Sequence, residues 1–489
     1  MEDTFMSANR IVKYNHHFQP EDGYLGDCMP FYWDGEHHIF YLKASLQNKS
    51  VENLIWAHIK SNDLLNWEVL PDVLPMGLKN DPDEDGCWSG SVIHNKDKFY
   101  IFYTGIQGMG TKRFRQSICM AESDDLIHFR KSPQNPMLLI DEKLYNAPGI
   151  AWADPFVFWN SDENSFWMLI NCKSRKGISP KNGCIGLAKS RDLKEWKVEK
   201  SFYTPNVAPY LEVPELFNYK DKWYLFYSET TDFCMTHYRL SDNSRGPWRM
   251  PEQGDGIDGS ELYGSKTIFD KNYRYALGWI RRKEDNKDSG QPLWGGALGI
   301  PRKLIPQNDG SLKVYYPESW KTIKKERVAL KPKCIFGNLD ISKDNFKLRA
   351  SEGAALSLCE VEQKNFYFSC KIKMSEDTPY FGFIFRSKDN LTQAYKIRFD
   401  RISGKIAGYC HGISSNIFNT ALELAQRPLN FHNKNEFKFE MFADHDIIEI
   451  FVDKEIAMSF RSYEHPGKCF GFFVEEGEAE FSKGKFYQI

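Results

Sequence analysis

The stretch Trp152-Ala153-Asp154-Pro155-Phe156-Val157-Phe158 decides how this chain is read. Proline has no N–H to give a strand ladder, so Pro155 belongs at a strand's first residue or on a sheet edge. The aromatic run behind it is that strand, which puts Asp154 at its mouth on a stiff backbone. Alone, an Asp-Pro pair reads as a turn. Here similar acids stand at similar places, in Gly26-Asp27-Cys28-Met29-Pro30-Phe31-Tyr32-Trp33 and in Glu212-Val213-Pro214-Glu215-Leu216-Phe217. Two more runs of this kind, Cys87 to Ile93 and Glu261 to Ile268, complete a set of five.

Each run is followed, after a short turn, by an aromatic strand pattern. These are His38-Ile39-Phe40-Tyr41-Leu42, Phe99-Tyr100-Ile101-Phe102-Tyr103, Phe166-Trp167-Met168-Leu169-Ile170, Trp223-Tyr224-Leu225-Phe226-Tyr227 and Tyr275-Ala276-Leu277-Gly278-Trp279. Their spacing of roughly fifty to seventy residues is near a propeller-blade period. A second repeat follows the first: Ser61-Asn62-Asp63-Leu64, Ser123-Asp124-Asp125-Leu126 and Ser190-Arg191-Asp192-Leu193, each closed by an aromatic at Trp67, Phe129 or Trp196. Helical periodicity is hard to find in this half. Short strands, turn signals and the repeat predict an all-β fold, a five-bladed β-propeller. The first strand of each blade then lines the central channel, and Asp27, Asp154 and Glu212 converge at one end of it, with Glu261 placed to join them.

After Pro301-Arg302 the texture changes. Residues from about Tyr316 to Cys334 are Lys-rich and read as a connector, and alternating runs such as Phe366 to Ile372 and Ile447 to Val452 predict a β-sandwich. The expected division is a propeller over 1–315, a linker over 316–336 and a sandwich over 337–489.

Composition narrows the function. The 489 residues carry a formal net charge of −2, which gives no reason to expect nucleic acid or an anionic membrane as partner. Met1 to Phe18 has no apolar core of signal-peptide length. The 11 cysteines are scattered without paired metal spacing. An odd count of this kind favours reduced thiols and a cytoplasmic location. No cofactor or metal is expected, because the ligand-rich spacing of a calcium loop and a Gly-rich phosphate cradle are both missing. Oligomeric state is left open.

Several acids at one end of a channel, among aromatics, fit glycosidic bond cleavage. One carboxyl protonates the leaving oxygen, a second attacks the anomeric carbon or activates water, and a third holds sugar hydroxyls. Trp56, Trp88 and Trp294 are candidates to offer apolar faces to a sugar ring.

At these residues the chain resembles glycoside hydrolase family 32, the invertases, levanases, inulinases and fructosyltransferases. Gly26-Asp27-Cys28-Met29-Pro30 ahead of Trp33-Asp34-Gly35 looks like the family's nucleophile motif, and Trp56-Ala57-His58 is similar to its Trp-Gly-His. Trp88-Ser89-Gly90-Ser91 matches Phe-Ser-Gly-Ser. Ala153-Asp154-Pro155 falls on Arg-Asp-Pro, and Glu212-Val213-Pro214-Glu215 on Glu-Cys-Pro-Asp. Glu261-Leu262-Tyr263-Gly264-Ser265-Lys266-Thr267 looks like Asp-Phe-Tyr-Ala-x-x-Thr, and Trp294-Gly295-Gly296 like Trp-Ala-Gly. The resemblance implies a propeller followed by a sandwich, and a retaining glycosidase acting on β-fructofuranosides. It implies Asp27 as nucleophile, Asp154 as transition-state stabiliser and Glu212 as acid/base, with Trp56, Trp88, Ser89, Glu261, Tyr263 and Trp294 binding a carbohydrate substrate.

Two departures fall on ring recognition: Leu42 replaces a Gln, and Ala153 replaces the motif Arg. They favour fructans or fructosyl oligosaccharides over sucrose as substrate. Lys43 and Lys266 are the cationic candidates to stand in for the missing Arg. The alternatives are a fructosyl- or anhydride-forming transferase, an inverting arabinan- or xylan-type glycosidase of the related family 43, and a sugar-binding propeller without catalysis.

Overall fold

The computed structural model describes residues 12–489, apart from 47–50, 147–151, 177, 179, 232–233, 253, 413–420, 433 and 465–466. The described residues are almost wholly β, with two short 3-10 turns at Glu284–Asn286 and Glu318–Lys321. No helix among them is long and apolar enough to cross a membrane.

The five runs and their aromatic partners form antiparallel hairpins. These are Gly23–Trp33 with Glu36–Ser45, Gly86–Asn95 with Lys98–Gln107, Trp152–Asn160 with Ser165–Lys173, Glu212–Tyr219 with Lys222–Glu229, and Leu262–Phe269 with Arg274–Lys283. The leading strands stand side by side in a ring: first beside second, second beside third, third beside fourth, fourth beside fifth, and fifth beside first. That closed ring is the inner wall of a propeller. The second strands are buried almost end to end, as in Ser165–Lys173, because neighbouring blades cover both faces. Their sequences therefore read as continuous apolar runs rather than alternating ones.

The polar repeats make turns. Ser61 Oγ accepts the N–H groups of Asp63 and Leu64 at 3.1 and 2.9 Å, and Asp63 Oδ1 accepts those of Leu65 and Asn66 at 2.9 and 2.8 Å. Asp192 takes the N–H groups of Lys194 and Glu195 in the same way. The central leucines are left-handed, with φ of 62° at Leu64, 65° at Leu126 and 66° at Leu193. Capture of backbone donors by the aspartate offsets that strain.

Beyond the propeller, a 13-stranded sheet folds over on itself around a phenylalanine-rich core that includes Phe368, Phe383, Phe439 and Phe472. Its last strand, Cys469–Gln488, pairs first with Tyr380–Ser387 and then with Phe366–Met374. One strand thus ties both layers together. The Lys-rich connector is anchored where it leaves the propeller. Trp320 is buried and its Nε1 donates to the Leu64 carbonyl at 3.1 Å, while the Tyr315 and Tyr316 hydroxyls each donate to Glu440 at 2.7 Å. The N-terminal arm adds a buried charge network, with His17 between Asp444 at 3.0 Å and Glu449 at 2.9 Å. Glu449 also meets Arg302, whose guanidinium pairs with Asp258 at 2.8 Å.

Candidate active site

All five leading strands are bulged at equivalent points. The register shifts between Leu25 and Cys28, between Trp88 and Gly90, between Glu212 and Glu215, and between Tyr263 and Lys266; in the third hairpin it shifts opposite Asp154 and Pro155. A bulge bends the strand and re-aims a side chain, which is how successive strands turn Asp27, Ser89, Asp154, Glu212 and Tyr263 towards one space.

The backbone at the acids is strained in a directed way. Asp154 has φ 58° and Val213 has φ 45°. A positive φ at a β-branched residue is a genuine outlier. It turns the Val213 N–H onto Asp154 Oδ2 at 3.0 Å, beside a second donor, Asn171 Nδ2, at 3.2 Å. The Asp154 N–H donates to Thr104 Oγ1 at 2.8 Å, and that hydroxyl donates to the Ser89 carbonyl at 3.0 Å.

Asp27 is held from both sides, by Ser89 Oγ donating to Oδ2 at 2.6 Å and Trp279 Nε1 donating to Oδ1 at 2.9 Å. Glu212 accepts the Tyr263 hydroxyl on Oε2. Gly264 follows Tyr263 with φ 64°, and a Cβ there would lie 2.5 Å from Asp27 Oδ1. Only glycine lets the fifth strand pass this close to the acid.

The three carboxyls differ in proton affinity. Burial raises Asp27, but the bonds from Ser89 and Trp279 and the charge of Lys266 work against that rise. Burial raises Asp154 to about 6, with the Val213 N–H opposing. Glu212 is raised to about 8, first by burial and then by the negative charge of Asp154, with the Tyr263 bond opposing. At neutral pH Glu212 therefore keeps its proton while Asp154 is ionised. Such a split assigns an acid and a base.

The carboxyls open into a cavity of roughly 290 Å³. That is near the low end of ligand pockets, about 300–1,000 Å³. A larger cavity of roughly 870 Å³, lined by Lys13, Phe385 and Lys468, contains none of these acids, so size does not locate the chemistry. Of the residues the sequence offers for substrate binding, Trp88, Ser89, Tyr263 and Trp294 line the acid cavity. The Trp294 ring lies against Gly26, where a Cβ would come within 2.2 Å of it. Leu42 and Ala153 both face the same space, so the two departures from the family pattern share one wall.

Four other candidates do not line the cavity. Trp56 is fully buried between blades, with Nε1 donating to the Trp88 carbonyl at 3.0 Å, and offers no face to a sugar. Glu261 stands behind the wall, paired with Arg281 at 3.2 Å. Lys43 is bound outside by Asp22 and Asp72, at 3.1 and 2.9 Å. Lys266 is buried in the channel, with Nζ donating to the Gly90 carbonyl at 2.5 Å, and supports the acids without lining the cavity. The lining residues that the sequence did not single out as site residues include Asn171, Trp279 and Arg281. Asn171 and Trp279 each sit at the end of an aromatic run, a position the repeat marks but does not orient.

The sequence model described as the glycosyl hydrolases family 32 N-terminal domain matches residues 17–317, and the one described as the family 32 C terminal matches 335–488. The chain belongs to glycosyl hydrolase family 32. The N-terminal match spans every bulged strand of the site. Among curated relatives, this family 32 chain is 28% identical over 346 residues to an insoluble β-fructofuranosidase isoenzyme of Arabidopsis thaliana, covering 64% of this chain and 56% of that one. It is 28% identical over 346 residues to fructan 1-exohydrolase w2 of Triticum aestivum, covering 65% and 56%. The alignments thus span little more than half the length of these relatives. The crystal structure of fructan 1-exohydrolase IIa from Cichorium intybus superposes with a TM-score of 0.74 at 18% identity, covering 98% of this chain and 97% of that one, and shares the fold.

Proposed function

We propose that the protein hydrolyses β-fructofuranosides by double displacement, with retention of configuration. Asp27 attacks the anomeric carbon and displaces the leaving oxygen, which takes the proton of Glu212. A water then gives its proton to Glu212 and its oxygen to the anomeric carbon, releasing Asp27. Asp154, deepest of the three, accepts ring hydroxyls, and its charge favours the developing oxocarbenium ion. The observation that carries this assignment is the unequal holding of two carboxyls in one cavity. Asp27 receives two donors and Lys266's charge, while Glu212 receives one donor and faces Asp154.

With Ala153 lining the cavity there is no guanidinium at that point of the wall. Fructans or fructosyl oligosaccharides, which bring binding energy from outside the reacting ring, are therefore favoured over sucrose. The division into a catalytic propeller over 1–315, a connector and a sandwich over 337–489 belongs to the same proposal. So does a cytoplasmic, reducing location, for which the odd count of 11 scattered cysteines speaks. Chromatography of products from sucrose, inulin and levan tests the activity. Free fructose from at least one of them is expected. Transfer products without free fructose, or no turnover of any, would overturn hydrolysis.

A further inference from the structure

Arg281 is the one cationic side chain lining the acid cavity among the described residues. It lies on the second strand of the fifth hairpin, where pairing with Pro292–Leu298 slips between Arg281 and Arg282. Arg281 stands two residues beyond Trp279, on the same face of the strand, and so is turned into the cavity as Trp279 is. Its Nη2 donates to the Ser260 carbonyl at 2.9 Å and to Glu261 Oε1 at 3.2 Å. Among the described residues its buried Nε has no acceptor, and neither does the buried Glu261 Oε2 have a donor. A rigid fork with a spare donor, its charge already balanced by the Glu261 behind it, suits a diol better than an anion. The backbone here is also clamped: Arg461 of the sandwich donates through Nε to the Arg281 carbonyl at 2.6 Å and through Nη2 to that of Ile280 at 3.0 Å.

Position fixes which part of the substrate is met. The leading strands carry the acids near their starts and the second strands run back towards that end, so Arg281, two residues beyond the Trp279 that holds Asp27, stands about 7 Å further towards the mouth of the cavity. The departing sugar occupies that outer part. We propose that Arg281, with Glu261 behind it, binds vicinal hydroxyls of the departing sugar and sets leaving-group specificity. This rests on the fructosidase assignment above.

The test compares a substrate whose leaving group is a sugar, sucrose or a fructosyl trisaccharide, with methyl β-fructofuranoside, whose leaving group has no hydroxyls. Arg281→Gln should lower kcat/KM for the sugar leaving group by about 10- to 100-fold more than for the methyl fructoside, the range for losing hydrogen bonds from a charged donor. Arg281→Lys keeps the charge without the fork and should fall between; it carries the comparison if the Gln variant does not fold. Equal losses on both substrates, or no loss, would overturn the proposal. So would a loss confined to substrates carrying a phosphate on the departing sugar. Wild-type protein inert on every fructoside would overturn this and the assigned activity together, whereas an active wild type with indifferent Arg281 variants would overturn this alone.

Discussion

Replacing Tyr263 by Phe removes one hydroxyl and leaves the ring in place. Tyr263 is buried against Trp279, with ring centroids 5.7 Å apart, so phenylalanine keeps the packing. What changes is Glu212, whose Oε2 loses the only side-chain donor, among the described residues, that acts to lower its proton affinity. A hydrogen bond to a charged group is worth about 1.5–3 kcal/mol, and one pKa unit corresponds to about 1.36 kcal/mol. Glu212, already raised to about 8, should therefore rise by a further 1–2 units or so. The alkaline limb of kcat/KM against pH reports the acid of the free enzyme. In Tyr263→Phe that limb should move upward by roughly one to two pH units, while the rate at neutral pH falls because the acid is weaker and less well oriented. The assay is initial-rate kinetics from about pH 6 to about pH 11 at constant ionic strength, with Tm checked for both proteins. An unmoved limb would show that another group controls it, and a downward shift would show that Tyr263 does not donate to Glu212.

Asp27→Asn should reduce turnover on the order of a thousandfold or more with little change in Tm, because it removes a reacting group without opening a cavity. Glu212→Gln should slow sugar leaving groups far more than an acidic leaving group that departs without a proton; equal slowing of both would contradict its role as acid. Gly264→Ala should cost activity and about 1–3 kcal/mol of stability, since its Cβ would lie 2.5 Å from Asp27 Oδ1 and 2.8 Å from Trp279 Nε1 at φ 64°. An alanine variant with wild-type kcat would show that the fifth strand can withdraw from the acid. His17 links pH to stability: burial lowers its pKa, but the bonds to Asp444 and Glu449 prevail and raise it from 6.5 to about 9. A raised folded pKa means stabilisation that is complete below about 6.5 and lost as pH rises through about 9, worth about 3 kcal/mol. Tm should fall across that window, and a His17→Gln variant should lack that fall.

The propeller was legible because its repeat is written twice, in aromatic second strands and in Ser-x-Asp-Leu turns. The convergence of Asp27, Asp154 and Glu212 followed from their matching places on leading strands. Facing was not legible. Trp56 lies on a strand buried on both sides, where alternation carries no information about which side meets the cavity. Lys266 follows a bulge, so counting residues along its strand does not give its direction. The left-handed Val213 has no sequence signal, since a valine is the last residue expected there.

The central claim, a covalent exchange through Asp27, is tested most directly by product stereochemistry. Methyl fructoside formed from a β-fructofuranoside in aqueous methanol can be read by proton NMR before it equilibrates. Double displacement requires the two carboxyls about 5–5.5 Å apart and gives the β-anomer. An α-methyl fructoside as first product would mean single displacement by water or methanol, and Asp27 would then be a base rather than a nucleophile.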